Sequence, residues 1–314
     1  MLDVTVVIPT RDRPELLAVT LHSVMWQRDV DFKVVVIDDG SRTDPRDHVE
    51  SLADPRVHVI THPSSLGVAR ARNRGIEIAK SRWIAFLDDD DVWAPEKLAL
   101  QIAECESSGR DWCYTGAVDV SPDLTVISAP PPIEPDEVMA RMETFNPVPG
   151  GGSGVMVRSD LLRRTGGFDA QFHTFADWEL WMRLGAHGPP AAVARPLVGY
   201  GIHDGGMSLD TDVTLAEARL LESTSGRRID MGAVHRHVMG ICLRSGRRAA
   251  AVRHLFLSEM VTAEGSPMTA LLRVTRRIAT FARHSLDRPA APESWVTEAE
   301  LWLARLAETV ASRP

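Results

Sequence analysis

The sequence predicts an α/β fold, a mostly parallel sheet with flanking helices, followed by an all-α extension. Three observations carry this. Short apolar runs rich in β-branched residues recur at 4–8, 32–37, 57–60 and 83–87, the length and composition of buried strands. The stretches between them are of crossover length with helical spacing of apolar residues, which argues for parallel neighbours with helices on both faces. Beyond residue 213 the strand pattern stops, and helices are expected at 213–224, 231–244, 247–263, 267–284 and 295–311, punctuated by Gly246, Pro267 and Pro289. The expected division is 1–212 for the α/β domain and 213–314 for the helical extension.

In chain order, the strand at 4–8 is closed by Pro9-Thr10-Arg11. Asp12-Arg13-Pro14-Glu15 then has the form of a helix start, with Asp12 expected as the cap, proline early and an acid three residues on. Leu16, Leu17, Leu21 and Val24 give that helix an apolar face. The second strand ends in Asp38-Asp39-Gly40-Ser41, a helix is expected at 45–52, and another at 67–79 follows the third strand. The fourth strand ends abruptly in Asp88-Asp89-Asp90-Asp91. Four adjacent carboxylates repel one another, and a fold tolerates them best if a cation shares the site or water surrounds them. Pro95 and Glu96 suit the opening turn of a helix, so the acids occupy a strand-to-helix turn. Oxygen-only ligands suit a hard divalent ion, Mg²⁺ or Mn²⁺; the alternative is a solvated acidic turn.

In open α/β sheets, ligands bind outside the carboxyl ends of the strands. Thr10-Arg11, Asp38-Asp39 and the four-aspartate run each follow a strand directly, so parallel strands bring all three to one edge. Past Trp112-Cys113-Tyr114 the pattern loosens. Asn146 to Gly154 is a Pro/Gly-rich loop, either a mobile connector or one where backbone can approach a ligand; it matches neither a phosphate loop nor GxGxxG. A strand at 155–157, a short helix at 159–164 and Gly166-Gly167-Phe168-Asp169 follow. Asp177 stands at the start of a helix whose Trp178, Trp181 and Met182 recur at core spacing; its plain reading is an N-cap. A strand at 191–198 leads to Gly199-Tyr200-Gly201-Ile202-His203.

Composition bounds the function. With 314 residues, 44% hydrophobic and 25% charged, the chain is that of a globular protein large enough for a full core. A net charge of −8 disfavours nucleic acid as a bulk partner. The lysines are Lys33, Lys80 and Lys97, so no catalytic lysine lies downstream of 97. Cys105, Cys113 and Cys242 show no metal or disulfide spacing, which favours a reducing, cytoplasmic setting. No signal-peptide pattern or spanning run is seen, so any membrane contact is expected to be peripheral. Arg273, Arg276, Arg277 and Arg283 read as a solvated basic face, with acidic lipid as the alternative.

Val6-Val7-Ile8-Pro9-Thr10, Val36-Ile37-Asp38-Asp39-Gly40-Ser41, Gly67 to Gly75 with Ala71-Arg72-Asn73, Phe86 to Trp93, Gly166-Gly167-Phe168-Asp169 and Asp177-Trp178-Glu179-Leu180-Trp181 together resemble the successive signatures of family 2 inverting glycosyltransferases of the GT-A fold. The resemblance covers about residues 3–210. It implies a nucleotide-diphosphate sugar donor, UDP by the family's habit, and a single displacement that inverts the anomeric carbon, with Mn²⁺ or Mg²⁺ as cofactor. It implies that Thr10 and Asp38 or Asp39 contact base and ribose, with Pro9, Arg11, Arg72, Asn73 and Asp89 also on the donor side. Asp88 and Asp90 resemble the DxD pair, Asp90 being the direct metal ligand. Asp177 resembles the catalytic base, and His203 a late histidine that completes the metal site in some members. Where members often carry an acid before the base, this chain has Ala176.

Three rival functions are weighed against this. Asp88 to Val92 also matches a DxDx[TV] phosphohydrolase nucleophile, but the downstream lysine that chemistry needs is absent. A metal-dependent nucleotidyltransferase would show a Gly-rich basic loop after the first strand, and Pro9-Thr10-Arg11-Asp12 is not one. A non-catalytic sugar-nucleotide-binding or scaffold protein is the third. Acceptor, sugar and oligomeric state are not readable.

Overall fold

The computed structural model describes residues 2–46, 49, 52, 54–203, 211–244, 247–262, 266–281 and 291–312. The described strands form one mixed sheet: β1 (Val4–Thr10), β2 (Phe32–Asp38), β3 (Val57–Thr61), β4 (Trp83–Phe86), β5 (Val92–Trp93), β6 (Trp112–Val120), β7 (Val126–Ser128), β8 (Val155–Arg158) and β9 (Ala191–Gly201). Their order is β3-β2-β1-β4-β8-β6-β9-β5, with β7 beside β6. The helices are α1 (Pro14–Met25), α2 (Val68–Ile78), α3 (Lys97–Ser108), α4 (Pro135–Met142), α5 (Ser159–Thr165), α6 (Ala176–Gly185), α7 (Thr211–Ser225), α8 (Met231–Arg244), α9 (Arg248–Thr262), α10 (Pro267–Phe281) and α11 (Glu293–Ala311).

The first half of the sheet is parallel, as the strand–helix alternation requires. β1 lies between β2 and β4, in register from Val4↔Phe32 to Thr10↔Asp38 and from Val4↔Trp83 to Val7↔Phe86. All seven residues of β1 are buried, which explains why this strand shows no polar alternation. The second half is mixed: β6 and β9 run parallel, whereas β8 runs antiparallel to both β4 and β6, and β5 antiparallel to β9. The register of the parallel strands sets Thr10, Asp38 and the chain after Phe86 at one edge.

α1 starts at Pro14, but Asp12 does not cap it. Asp12 has φ of 54°, and its carboxylate instead accepts from the Arg42 amide at 2.8 Å. Its own amide donates to Ser41 Oγ at 2.9 Å. A cap needs an extended backbone and a carboxylate turned back on the helix; the loop after β2 takes both from Asp12.

The chain forms two compact units, one of residues 1–140, 147–202 and 290–314, the other of 141–146 and 203–289. This differs from a cut at residue 212. The helices expected past 213 are present, but α11 joins the first unit. Trp295, Trp302, Leu303 and Leu306 of α11 pack with Val92, Val118 and Leu197 of the sheet, and Trp302 Nε1 donates to the Pro196 carbonyl at 3.0 Å. Helical spacing reveals an apolar face but not which core that face will join. Within the second unit, Val238, Cys242 and Ala251 form the centre of a separate small core.

Candidate active site

The four aspartates after β4 have four different environments. Asp88 keeps its carboxylate partly accessible and accepts from Arg72 Nη2 at 2.5 Å. Asp89 turns inward, where Thr10 Oγ1 donates to it at 2.7 Å and Arg13 Nη1 at 3.2 Å. Asp90 is partly accessible and pairs with Arg13 at 2.9 Å. Asp91 is fully buried and holds the turn in place: Ser153 Oγ donates to one oxygen at 2.5 Å and the Gly201 amide to the other at 2.8 Å. The absence of a side chain at Gly201 permits this approach, because a Cβ there would lie 2.1 Å from the Asp90 carbonyl oxygen. Burial, then the neighbouring Asp90, push the Asp89 carboxyl up to about 7, against Thr10 and Arg13. Burial likewise raises Asp91 well above the carboxylate range.

Asp38 and Asp39 follow β2 on the same edge. Asp38 is buried and accepts from the Ser41 amide at 3.0 Å, the turn-forming use common for this residue type. Asp39 accepts from His62 Nδ1 at 2.9 Å, Ser65 Oγ at 2.7 Å, and the Leu66 and Gly67 amides at 2.9 Å each. Burial raises its proton affinity, but those donors outweigh it, and the carboxyl lies below its ordinary value. Both oxygens are thus occupied by the loop between β3 and α2. Beside that loop opens a cavity of about 530 Å³ lined by His62, Leu66, Arg70, Asn73 and Gly167, among others. Pro9 is buried, and the exposed Arg11 donates to Ser65 Oγ at 3.1 Å.

Arg72 connects the acidic turn to the second half of the site. It is 4% exposed, with its guanidinium 5.1 Å from the centre of the Phe168 ring. A Cβ on Gly152 would lie 3.0 Å from its Nη2. Its buried Nε has no hydrogen-bond partner among the described residues. Asn73, next in sequence, uses its amide on the Phe168 backbone, donating to the carbonyl and accepting from the amide at 2.8 Å each. It latches Gly167-Phe168 to α2.

Asp177 is the second residue of α6, behind the N-terminal Ala176, and is half-buried. One oxygen accepts from the Trp178 amide at 2.8 Å; the other would lie 3.2 Å from a Cβ on Gly151, whose φ is 51°. Burial raises its proton affinity above the ordinary carboxylate, while Arg72 and the Trp178 amide oppose the rise. The helix terminus would favour the ionised form, and burial outweighs it.

The profile of glycosyl transferase family 2 matches residues 5–165, over half of the chain, from β1 through the acidic turn to α5. The chain belongs to glycosyl transferase family 2. An uncharacterised glycosyltransferase of Haemophilus influenzae is 27% identical over 216 residues, 67% of this chain and 72% of that protein. The Escherichia coli UDP-Glc:α-D-GlcNAc-diphosphoundecaprenol β-1,3-glucosyltransferase WfaP is 26% identical over 259 residues, 81% of this chain and 96% of that one. Two other relatives are matched over only 56% and 44% of their own length. The crystal structure of S. aureus TarS 1–349 in complex with UDP-GlcNAc superposes with a TM-score of 0.57 at 15% identity, covering 83% of this chain and 81% of that one. That likeness shows the fold.

In this glycosyltransferase the partly accessible carboxylates of the acidic turn are those of Asp88 and Asp90. Arg13 pairs with Asp89 and Asp90 and Arg72 with Asp88, and after burial the neighbouring Asp90 and Asp88 lift Asp89 further. The donors are all hard oxygens. Among the described residues, no three His, Cys, Asp or Glu side chains are grouped as a complete cage. His203 follows Ile202 after β9 and is the first residue of the second unit; the glycine-rich stretch behind it lies outside the described residues. No helix of the described chain is long and apolar enough to cross a membrane.

Two participants were not evident from the sequence. Arg13 looked like part of a helix start, yet it is the cation between Asp89 and Asp90. Ser153 looked like linker, yet it donates to Asp91 and accepts from the Asp88 amide at 3.0 Å. Its only signal was a polar residue inside a glycine run.

Proposed function

We propose that this glycosyltransferase moves a hexosyl group from UDP to an acceptor hydroxyl in one inverting displacement. The observation that carries the reading is the joining of the ends of β1 and β4 and of α2 into one polar edge, through Thr10 to Asp89 and Arg72 to Asp88, with Asp177 electrostatically linked to the same Arg72. UDP as the donor is supported by the names of relatives such as WfaP. Base and ribose would lie along Thr10, Asp38 and the loop that Asp39 fastens. The unfilled Nε of Arg72 is a buried donor suited to an oxygen of the bound sugar nucleotide. Mg²⁺ or Mn²⁺, held by Asp90 with Asp88, would neutralise diphosphate charge as it develops. His203 remains a candidate further ligand.

The acceptor oxygen forms its bond to the anomeric carbon while the bond from that carbon to the phosphate oxygen breaks. The electron pair leaves with UDP, and the hydroxyl proton passes to Asp177. Gly151 leaves space beside the Asp177 oxygen, where an acceptor hydroxyl would be received.

Thermal unfolding with UDP and UDP-sugars tests this, since a ligand that binds only the native state raises its midpoint. UDP-glucose with Mn²⁺ is expected to stabilise the parent, chelator to abolish the shift, and Asp90→Asn to behave in Mn²⁺ as the parent does in chelator. An equal shift with chelator present removes the metal from the reading.

A further inference from the structure

We infer that the hydroxyl of Tyr200, near the end of β9, contacts the transferred sugar and helps to select it. The inference rests on the proposed transfer and adds a residue to it. Successive side chains of a strand point to opposite faces. Gly199 faces β5 and α11: a Cβ there would lie 2.8 Å from Val92 and 3.4 Å from Leu303. Val198 faces the other way, where a Cβ on Gly150 would lie 3.3 Å from its Cγ1. Tyr200 stands two residues further along β9 and shares the Val198 face, the one against which the glycine turn lies. The next residue of that turn is Gly151, where a Cβ would lie 3.2 Å from the Asp177 carboxylate. The next residue of β9 is Gly201, whose amide donates to Asp91 at 2.8 Å. Tyr200 therefore has the base on one side and the acidic turn on the other.

The charges that act on the phenol fit this placement. Burial first, then Asp91, Asp88 and Asp90 of the acidic turn and Asp177, hold it above its ordinary value. The group is a neutral hydroxyl, able to donate and to accept hydrogen bonds. Tyr114, the other tyrosine of the chain, donates to the Ile133 carbonyl at 2.5 Å. Asp119, which lies opposite Tyr200 on β6, is engaged by Ser128. The Tyr200 hydroxyl has no hydrogen-bond partner among the described residues, although the residue is partly buried. A tyrosine that is drawn into the fold usually finds a partner for its hydroxyl, because an unpaired one is costly. In a single displacement the group that lies between the diphosphate and the base is the hexosyl ring. The oxygen that reaches Tyr200 is then a hydroxyl of that ring.

The test uses the full chain labelled with 3-fluorotyrosine, in Mg²⁺, with UDP, UDP-glucose, UDP-galactose or UDP-N-acetylglucosamine. Two tyrosines give two fluorine resonances, assigned by Tyr200→Phe or, should that variant fail to fold, by Tyr114→Phe. The sugar nucleotide that binds most tightly is expected to shift the Tyr200 resonance well beyond the shift caused by UDP, and to leave that of Tyr114 in place. Calorimetry on unlabelled protein gives a second readout. Tyr200→Phe removes only the hydroxyl, so it should unfold at the parent's midpoint and bind UDP as the parent does. It should bind the preferred sugar nucleotide about three- to tenfold more weakly. A deoxy analogue lacking the contacted hydroxyl should lose the same factor in the parent and nothing further in the variant. A Tyr200 resonance that responds to UDP as it does to every sugar nucleotide overturns the inference, because the contact would then be with the nucleotide. A folded phenylalanine variant with the parent's affinity for all of them overturns it too. The UDP titration of the parent tells the two failures apart: a parent that binds neither UDP nor any sugar nucleotide overturns the proposed transfer, and this inference with it.

Discussion

Identical side chains acquire different chemistry from their partners, and the acidic turn shows this at the scale of one residue. Asp90 and Asp88 stay within reach of solvent, Asp89 is tied to Thr10, and Asp91 is absorbed into the scaffold. The sequence made the turn legible because a strand runs directly into it. The division of labour was not legible, since the groups that settle it, Ser153 and Gly201, lie 62 and 110 residues further on. Asp38 or Asp39 was expected at the nucleoside; the Asp39 carboxylate holds the loop beside the cavity, a contact the sequence did not show. For Asp177 two outcomes are expected. Asp177→Asn keeps the shape but takes no proton, so it should bind UDP nearly normally and lose transfer by about 10²–10⁴-fold. Burial holds the parent carboxyl above its ordinary value and Arg72 opposes this, so activity should fall as pH drops through a raised acidic limb. Arg72→Gln removes the cation that favours the ionised form and should move that limb to higher pH. A pH profile of kcat/KM in parent and variant reads both. A limb that moves down or stays fixed would separate Asp177 from the base role.

At the scale of an element, the glycine-rich turn Gly151–Gly154 is held from beneath by a buried polar chain. Trp93 Nε1 donates to the Ser153 carbonyl at 2.9 Å, and Gln101 Nε2 to the Gly154 carbonyl at 3.0 Å. Lys97, fully buried, donates to Gln101 Oε1 at 2.8 Å and lies 3.9 Å from the centre of the Trp93 ring. Sequence alone showed Lys97 as an early residue of a helix and gave no sign of its burial. Burial lowers its ammonium to about 7. In the unfolded chain the group titrates near 10.4, so between those values the unfolded state binds the extra proton and stability rises with pH. Below about pH 7 both states are charged and the burial cost is constant. Lys97→Met should therefore flatten the pH dependence, removing a slope of up to ~1.4 kcal/mol per pH unit across pH 7.5–9.5. Urea unfolding of both proteins at intervals through that range measures it; parallel curves would mean that Lys97 stays charged in the fold.

At the scale of the whole molecule, the chain returns to its first core after building a second one. The helical character of 295–311 was legible from spacing, and its allegiance was not, because Trp295 and Trp302 give the same apolar signal whichever core receives them. Gly116 marks the receiving site: a Cβ there would lie 2.2 Å from the Trp295 ring. Trp302→Ala should destabilise the first unit by about 3–5 kcal/mol and lower UDP binding only through the unfolded fraction. Denaturation followed with and without saturating UDP distinguishes this from a direct effect on the site. The returning helix also has a consequence for biosynthesis. Domains form broadly in the order in which the ribosome releases them, yet β9 must wait for a segment about a hundred residues downstream, as the pair Arg195–Glu298 illustrates. The nascent catalytic sheet therefore leaves the exit tunnel with one apolar flank uncovered throughout synthesis of the helical unit. During that interval the uncovered flank is the kind of transiently exposed apolar surface that favours aggregation, and the first core is complete only after α11 has been translated and docked.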